Sequence, residues 1–292
     1  MLGPLLAILS ALGSSAKAIL VKLAYRESDV DAVTLLALRM LFSMPVFFFV
    51  AWWSSRERAA LTRRDWAHLG LVGFVGFYLA SFLDFWGLSY ISVGLERLIL
   101  FTYPAMVVVL AGWWLQKPVG GREIAALLIS FVGIGVAFWG DVRPAEDPSM
   151  VWAGSLAVFG GALSYALYMI GVGQMVGRIG SFRLTGLAIT ISTFFVLGHF
   201  AVTHPVAALR QPAGVYWLSG GMALFSTVLP IFLNAEAIRL IGAPRVSIIG
   251  FLGPILTIAL GYWFLGEDVT GMQLAGTGLV MAGVALASRG KG

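Results

Sequence analysis

The sequence repeats itself at a fixed distance of 150 residues. Residues 91–140 and 241–290 align without a gap, and 13 of their 50 positions are identical. That is more identity than two apolar segments share through composition alone, so we interpret it as a duplication, which predicts two copies of one structural unit. The identical pairs are Ile91 and Ile241, Ile99 and Ile249, Phe101 and Phe251, Pro104 and Pro254, Leu110 and Leu260, Trp113 and Trp263, Leu115 and Leu265, Val119 and Val269, Gly121 and Gly271, Ala125 and Ala275, Gly133 and Gly283, Ala137 and Ala287, and Gly140 and Gly290.

The composition predicts that both units lie in a membrane. Of the 292 residues, 59% are hydrophobic and 11% are charged, whereas a soluble domain has about 25% charged residues. So few charges cannot cover a globular surface in water. Cysteine is absent, which excludes disulfides and thiolate metal sites. We interpret the net charge of +5 as a signal of membrane topology rather than of nucleic-acid binding.

Ten segments are long and apolar enough to span a bilayer, which takes about 20 residues. Five spans fall in each unit (residues 1–140 and 150–290), and an odd number gives the two units opposite orientations. The sequence therefore predicts an all-α polytopic membrane protein with two inverted five-helix repeats. The first predicted span begins at residue 2, and we expect it to be retained as a helix rather than cleaved as a signal peptide. The predicted spans are 2–24, 32–54, 66–90, 94–115, 121–140, 150–176, 183–203, 214–238, 244–265 and 271–288.

The distribution of Lys and Arg predicts that both termini are cytoplasmic. Positive residues accumulate on the cytoplasmic side of membrane proteins, and in this chain they accumulate on the side of the termini. That side carries Arg56, Arg58, Arg63, Arg64, Lys117, Arg122, Arg178, Arg183, Arg239, Arg245, Arg289 and Lys291, and the other side carries Lys22, Arg26, Arg143 and Arg210.

Each unit ends in a Pro-centred helix, a short turn and a Gly-rich helix. The second unit carries this pattern as Gly253-Pro254, Leu265-Gly266-Glu267, Gly271, Gln273, Gly276 and Gly283-Val284. In this respect the chain resembles the EamA-type drug/metabolite transporters. Arg39 stands where members often have an Arg in the second helix. The first unit departs from the pattern, because Gln116-Lys117 stands where the family usually has a Glu.

The resemblance implies a ten-helix transporter of small organic molecules. Within the family the chain is most similar to the YddG-type exporters of aromatic amino acids, which implies a multi-pass protein of the bacterial inner membrane, without a cofactor, as a monomer or homodimer. A broader exporter of drugs or cationic aromatic compounds with the same fold is the alternative. Its cation would have to meet Asp84 or Glu236. Proton antiport and facilitated diffusion both remain open.

Five ionisable residues fall within or beside the predicted spans: Lys17, Arg39, Asp84, Glu96 and Arg97. Such residues are rare in membranes and usually functional. At 1.5 Å per residue, all five lie within about 12 Å of the non-cytoplasmic interface. One interpretation is that they form ion pairs that close an outer gate. The other is that Lys17 and Arg97 extend to the interface while Arg39 pairs structurally with Asp84.

Polar and aromatic residues in the middle of spans are the candidates for contacting a substrate. A Tyr at this depth needs a partner for its hydroxyl and therefore faces protein or water. Aromatic residues packed between helices are the alternative interpretation. The predicted lining residues are Ser14, Tyr78, Tyr103, Ser164, Tyr165 and Asn234.

Prolines at equivalent places in both units indicate where the helices bend. Pro104 and Pro254 interrupt the fourth and ninth spans, and Pro230 interrupts the eighth. Pro removes one intrahelical hydrogen bond, and paired breaks in the two halves point towards the site of a transporter. We predict that these prolines act as hinges, with static kinks as the alternative. We interpret the Gly-rich fifth and tenth spans as packing or dimer faces.

Enzymatic chemistry is not predicted. The sequence has no Gly-x-Ser-x-Gly motif and no phosphate-binding Gly-rich loop, and its three histidines have no metal-ligand spacing to Asp or Glu. We therefore expect a secondary transporter that exports aromatic or hydrophobic amino acids by alternating access. We expect the substrate near the membrane midplane, between spans 1, 3 and 4 and spans 6, 8 and 9.

Overall fold

A computed structural model describes residues 2–56, 59–114, 120–143 and 145–288. All regular secondary structure in these ranges is helical, with one 3₁₀ turn, Val206–Leu209, between the seventh and eighth helices. The helices are α1 (Leu2–Glu27), α2 (Ala32–Ser55), α3 (Arg63–Leu88), α4 (Val93–Leu100 and Tyr103–Trp114), α5 (Gly121–Val142), α6 (Pro148–Ile179), α7 (Ser181–Thr203), α8 (Ala213–Ile241), α9 (Ala243–Gly250, then Leu252–Leu260 continued by Gly261–Leu265) and α10 (Gly271–Ser288).

Nine helices of the described ranges are long and apolar enough to cross a membrane. The chain is therefore a polytopic membrane protein. The apolar part of α10, Gly271–Leu286, is shorter, so a tenth span stays a prediction, as does the orientation of the termini. Several residues used in the sequence arguments lie outside the described ranges, namely Arg58, Gln116, Lys117, Arg289 and Lys291.

Helix α6 is longer than the predicted 150–176 at both ends. It begins at Pro148 because the Asp147 side chain accepts a hydrogen bond from the Ser149 backbone N–H and Pro suits the first helical position. It ends at Ile179, where Gly180 adopts a φ of 88°. Only Gly enters that region without strain.

Interruptions of the helices recur 150 residues apart. The α-helical segments of α4 and α9 end at Leu100 and Gly250, four residues before Pro104 and Pro254. A proline has no N–H to donate to the carbonyl four residues earlier, which explains why the helices break at these positions. The rings of Phe101 and Phe251, one at each break, meet edge to face with centroids 5.8 Å apart.

A second pair of irregular segments consists of π-helical turns, Phe74–Leu79 in α3 and Leu224–Val228 in α8. Pro230 follows the second turn, but the first has no proline nearby. There the Ser164 hydroxyl of α6 donates to the Val75 carbonyl at 2.7 Å. Widened turns leave backbone groups that need such partners. These recurrences support the predicted repeat.

The loops of the bundle gather at two ends. At one end, Val93 N–H donates to Glu267, Ser28 donates to Gln211, and His204 lies 3.3 Å from Asp31. We call it the outer end, after its predicted orientation. At the opposite, inner end, Arg178 pairs with Asp65, and Arg183 binds Ser55 and the Ala59 carbonyl.

The largest hydrophobic cluster lies towards the outer end of the bundle, and several smaller clusters lie elsewhere. One outer cluster joins buried residues of α1, α2, α3, α4, α7, α8 and α9, Phe85, Val93 and Leu265 among them. At the inner end, Ala7, Ala237 and Val246 join α1, α8 and α9, while a separate cluster around Tyr168 and Leu184 joins α3, α6 and α7. At the inner end α1 therefore packs with α8 and α9, and α3 packs with α6 and α7, which differs from the predicted grouping of spans 1, 3 and 4 against spans 6, 8 and 9 because buried apolar residues face different neighbours there.

Helices α5 and α10 form the most closely packed pair, through glycines. A Cβ added to Gly276 would lie 2.5 Å from the Gly133 carbonyl oxygen, and one added to Gly283 would lie 2.6 Å from the Ala126 carbonyl oxygen. These glycines let the two backbones touch, so they serve packing within the chain. Gly135 and Gly278 have no neighbour within 4 Å of an added Cβ and are free for contact with lipid.

Gly276→Ala should destabilise the protein in detergent by about 1–3 kcal/mol, because the methyl group has to push two backbones apart. Gly278→Ala is the matched control on the same helix, and its methyl group enters open space. It should leave the unfolding temperature unchanged or raise it, since Ala favours helices. Thermal unfolding followed by size-exclusion chromatography measures both variants. Equal effects would contradict this account of the α5–α10 contact.

Candidate functional site

An ion-pair cluster closes the outer end between the two groups of helices. Lys17 of α1 extends its ammonium to Asp84 of α3, with Nζ 2.5 Å from Oδ2, and to Glu96 of α4, with Nζ 3.6 Å from Oε1. Asp84 and Glu96 are almost fully buried. One cation thus holds three helices together near the outer end, and a gating role for Lys17 and Asp84 stays a prediction.

The two carboxylates of this cluster have few partners besides Lys17. Asp84 Oδ1 and both side-chain oxygens of Glu96 are buried without a hydrogen bond from the described residues. A buried carboxylate is strongly disfavoured unless a cation or donor compensates it. The position of Lys17 between them is therefore essential to the packing of α1, α3 and α4.

Arg39 does not pair directly with Asp84, contrary to the structural alternative. Its guanidinium donates to the Ser81 hydroxyl at 3.1 Å and lies over the Phe85 ring, with Cζ 4.9 Å from the ring centroid. The Lys17 ammonium instead donates a hydrogen bond to the Asp84 carboxylate. Arg39, which is 5% exposed, instead joins α2 to α3 beside the cluster.

Arg97 lies on the other side of the cluster, against α9. A Cβ added to Gly253 would be 2.8 Å from Arg97 Nη2, so the guanidinium rests directly on the α9 backbone. The Gly253 carbonyl in turn accepts a hydrogen bond from Ser15 of α1 at 3.1 Å. Arg97 therefore bridges α4 and the α1–α8–α9 group, and it is only partly buried.

Tyr103 of α4 and Tyr165 of α6 form an aromatic pair in the α3–α4–α6 group. Their ring centroids are 4.9 Å apart, edge to face, and the Tyr168 ring lies 5.2 Å beyond Tyr165. The structure thus packs two of the predicted lining residues, Tyr103 and Tyr165, against each other.

Tyr78 and Ser164, two predicted lining residues, are occupied by other contacts. The Tyr78 hydroxyl is 3.1 Å from His199 Nδ1 of α7, and its ring packs on Phe195. It therefore faces α7, away from α1. Ser164 is buried and its hydroxyl is bonded to the Val75 carbonyl. Sequence position gave the depth of these residues but not the side of the helix on which they lie.

Ser14 on α1 is partly buried, and Asn234 on α8 is exposed. Among the predicted hinges, Pro230 and Pro254 are buried and Pro104 is partly buried. The Pro230 carbonyl accepts a hydrogen bond from Ser10 of α1 at 2.9 Å.

Glu236 pairs with Arg239 at 2.5 Å near the inner end of α8, far from the Lys17 cluster.

The sequence argument missed the role of Glu267. Its carboxylate accepts hydrogen bonds from the Val93 N–H at the start of α4, at 3.1 and 3.3 Å. Burial raises the pKa of this carboxyl, which lies in the loop before α10. Asp141 accepts similarly from the Ser92 N–H. The Leu265-Gly266-Glu267 motif could have indicated this contact, because a carboxylate is suited to bind the free N–H groups at the start of a helix.

Lys17→Met should destabilise the protein by about 3–5 kcal/mol, because it leaves two buried carboxylates without their cation. Adding Asp84→Asn should restore part of the loss, since one buried charge is removed. Arg239→Met breaks the exposed pair with Glu236 and serves as the control, with little change expected. Unfolding temperatures of the wild type, Lys17→Met, Asp84→Asn, the double variant and Arg239→Met measure this. If the losses from Lys17→Met and Asp84→Asn simply add, the pairing is not a stabilising contact.

Comparison with known proteins identifies the family. Residues 1–139 and 152–289 match the EamA-like transporter family. The "Uncharacterized transporter YcbK" of Bacillus subtilis (strain 168) is 29% identical over 285 residues, which cover 94% of this chain and 89% of that protein. The "Uncharacterized transporter sll1319" of Synechocystis is 28% identical over 271 residues, 86% of this chain and 78% of that protein.

A solved structure, described only as "Crystal structure of protein", has the same fold. It superimposes with a TM-score of 0.67 over 98% of this chain and 96% of its own, at 16% sequence identity. The family match covers nearly the whole chain, and the relatives are named as transporters. The chain therefore belongs to the EamA-like transporter family, and it is a membrane transporter rather than an enzyme.

Proposed function

We propose that the chain is a secondary transporter that exports small organic metabolites, in particular aromatic or hydrophobic amino acids, by alternating access. The observation that carries the proposal is the packing of the helices, from which we infer a cleft between α1, α8 and α9 on one side and α3, α4 and α6 on the other. Its helices are joined at the outer end by Lys17, Asp84 and Glu96 and form separate cores at the inner end. In the proposed orientation, with both termini in the cytoplasm of a bacterium, this cleft receives substrate from inside.

The side chains of the cleft suit a flat molecule with a polar end. Tyr103 and Tyr165 offer aromatic faces and edges, which stack on planar apolar groups. Ser14 and Asn234 on the opposite group offer hydrogen bonds. In this proposal Tyr78 and Ser164 hold helices in place and do not contact the substrate.

Release requires the outer end to open, which means that Lys17 must separate from Asp84 and Glu96. The breaks before Pro104 and Pro254 divide α4 and α9 into segments that can tilt separately, and Pro230 adjoins the widened turn of α8. Such interruptions let half-helices move around a central site. The proposal does not depend on oligomerisation, and either a monomer or a homodimer fits it.

The alternative, export of cationic aromatic compounds, needs a carboxylate that is free to meet the cation. Both candidates already have partners, since Asp84 contacts Lys17 and Glu236 contacts Arg239. A cationic substrate would have to displace one of them. This observation favours amino acids over cationic drugs.

Purified protein in liposomes should accumulate labelled aromatic amino acids by counterflow, with saturable rates. Quaternary aromatic cations should not compete. Absence of saturable flux for every aromatic amino acid would refute the substrate class, and strong competition by the cations would favour the alternative. Repeating the assay with the pH gradient collapsed distinguishes facilitated diffusion, which persists, from proton antiport.

Asp84→Asn should lower the counterflow rate by about tenfold while expression stays close to that of the wild type. The neutral amide weakens the hydrogen bond to a charged partner, so the outer end no longer closes firmly. Asp147→Asn, an exposed residue of the loop before α6, is the control and should transport normally. Loss of expression in parallel with loss of transport would assign Asp84 to folding alone.

A further inference from the structure

The ion-pair cluster at the outer end has more carboxyl oxygens than hydrogen-bond donors. Lys17 donates to Asp84 Oδ2 at 2.5 Å, but its ammonium is 3.6 Å from Glu96 Oε1, which is too far for a hydrogen bond. The second oxygen of Asp84 and both side-chain oxygens of Glu96 are buried and accept no hydrogen bond from the described residues. The cluster therefore lacks at least one donor.

The charges at the centre of the cluster are also unequal. One ammonium faces two carboxyl groups, and bulk water does not solvate them, because Asp84 is 2% exposed and Glu96 is 0% exposed. Two carboxyl groups in one buried site do not both ionise readily, since each disfavours the charge on the other. A buried water would supply hydrogen bonds but would leave the second negative charge uncompensated. A proton on one carboxyl group supplies a donor and also removes that charge.

No arginine of the described residues takes the place of this proton. Arg39 donates to Ser81, and neither Arg39 nor Arg97 makes a hydrogen bond to the three carboxyl oxygens that lack donors. The charged residues around the pair are Lys17 and Lys22 of α1, Arg39 of α2, Arg97 of α4, Asp141 of α5 and Glu267 of the loop before α10, whereas residues 148–177 of α6, 246–265 of α9 and 271–288 of α10 carry no charge. The two acidic neighbours accept from backbone N–H groups at the start of α4 and add negative charge on the loop side.

We propose that Asp84 and Glu96 hold one proton between them while the outer end is closed and release it when this end opens. Lys17 then faces a single negative charge in the closed state, so that the three groups together are neutral. The inference rests on the proposed function, because it takes the outer end to open. It goes further by assigning a proton-binding site to the gate.

The release of the proton follows from hydration. When the outer end opens, Lys17 moves away and water reaches both carboxyl groups, and a carboxyl group in water is ionised at neutral pH. The O–H bond of the protonated carboxyl group breaks, the proton passes to water on the outer side, and Lys17 stays an ammonium.

The direction of the pH effect follows from the number of bound protons. The closed state holds one proton more than the open state, so acid favours closure. Between the pH values at which the two states titrate, the ratio of open to closed protein should rise about tenfold per pH unit.

Infrared spectroscopy of the purified protein tests the proton site without transport, because the C=O stretch of a protonated carboxyl group is separate from the bands of a carboxylate. The wild type should show such a band at neutral pH. Both Glu96→Gln and Asp84→Asn should lose it, since each leaves a single carboxylate that Lys17 neutralises. Glu236→Gln, which removes the carboxyl group paired with Arg239 at the inner end, is the control and should keep the band.

Two infrared results overturn the proposal. One is the absence of the band from the wild type at neutral pH. The other is a band that persists in Glu96→Gln or in Asp84→Asn, because a proton shared by the two residues requires both.

Spin labels test the gate, because the chain has no cysteine and a labelled pair has no background. Asp29, which follows α1, and Ser89, which follows α3, are exposed and adjoin two of the helices that Lys17 joins. With Asp29→Cys and Ser89→Cys labelled, the population with the longer distance should rise with pH. With Glu96→Gln added, that population should be the same at every pH, since the amide does not titrate.

The outcomes distinguish this proposal from the proposed function. Label distances that do not change with pH in the wild-type background overturn the gate. A pH dependence that persists with Glu96→Gln also overturns it and points to another group, such as His204. Loss of the infrared band in both variants of a protein without counterflow of any aromatic amino acid supports the proton site and rejects the proposed substrate, and counterflow by a protein without the band does the reverse.

Discussion

The closed outer end depends on the burial of the Lys17 ammonium between two carboxylates. Asp84 and Glu96 lie on different helices, and Asp84 Oδ1 and both side-chain oxygens of Glu96 are buried without a hydrogen-bond donor among the described residues. Coulombic attraction is strong in this environment, and so is the penalty for separating the charges. The three helices α1, α3 and α4 must therefore approach one another here, and the inner halves are left to pack in two separate clusters.

The asymmetry of the cleft follows from differences between two similar units. The helix breaks and the widened turns recur 150 residues apart, but the charges do not. Asn234 stands at the position equivalent to Asp84, and Val246-Ser247 at the position equivalent to Glu96-Arg97. The backbone interruptions thus recur in both halves, whereas the buried contact of Lys17 with Asp84 and Glu96 has no counterpart at the equivalent positions. A transporter that alternates between two states needs such a difference.

The site predicted from sequence was accurate in depth and less so in direction. Lys17, Asp84, Glu96 and Arg97 do gather, because hydropathy and length fix how far along each span a residue lies. Tyr78 turned out to face His199 on α7. A helix in a membrane is apolar on most faces, so its sequence has no strong amphipathic pattern to show which side meets protein.

The sequence by itself indicated a helical membrane protein, because its few charges cannot cover a soluble surface, and it predicted two related units, because two segments 150 residues apart align without gaps. It also determined where α4 and α9 break, since proline acts locally. Only the tertiary structure decided that Lys17, rather than Arg39, is the partner of Asp84, and that Arg97 is left without one. These pairings depend on distances of a few ångströms between side chains of helices that are far apart in the sequence.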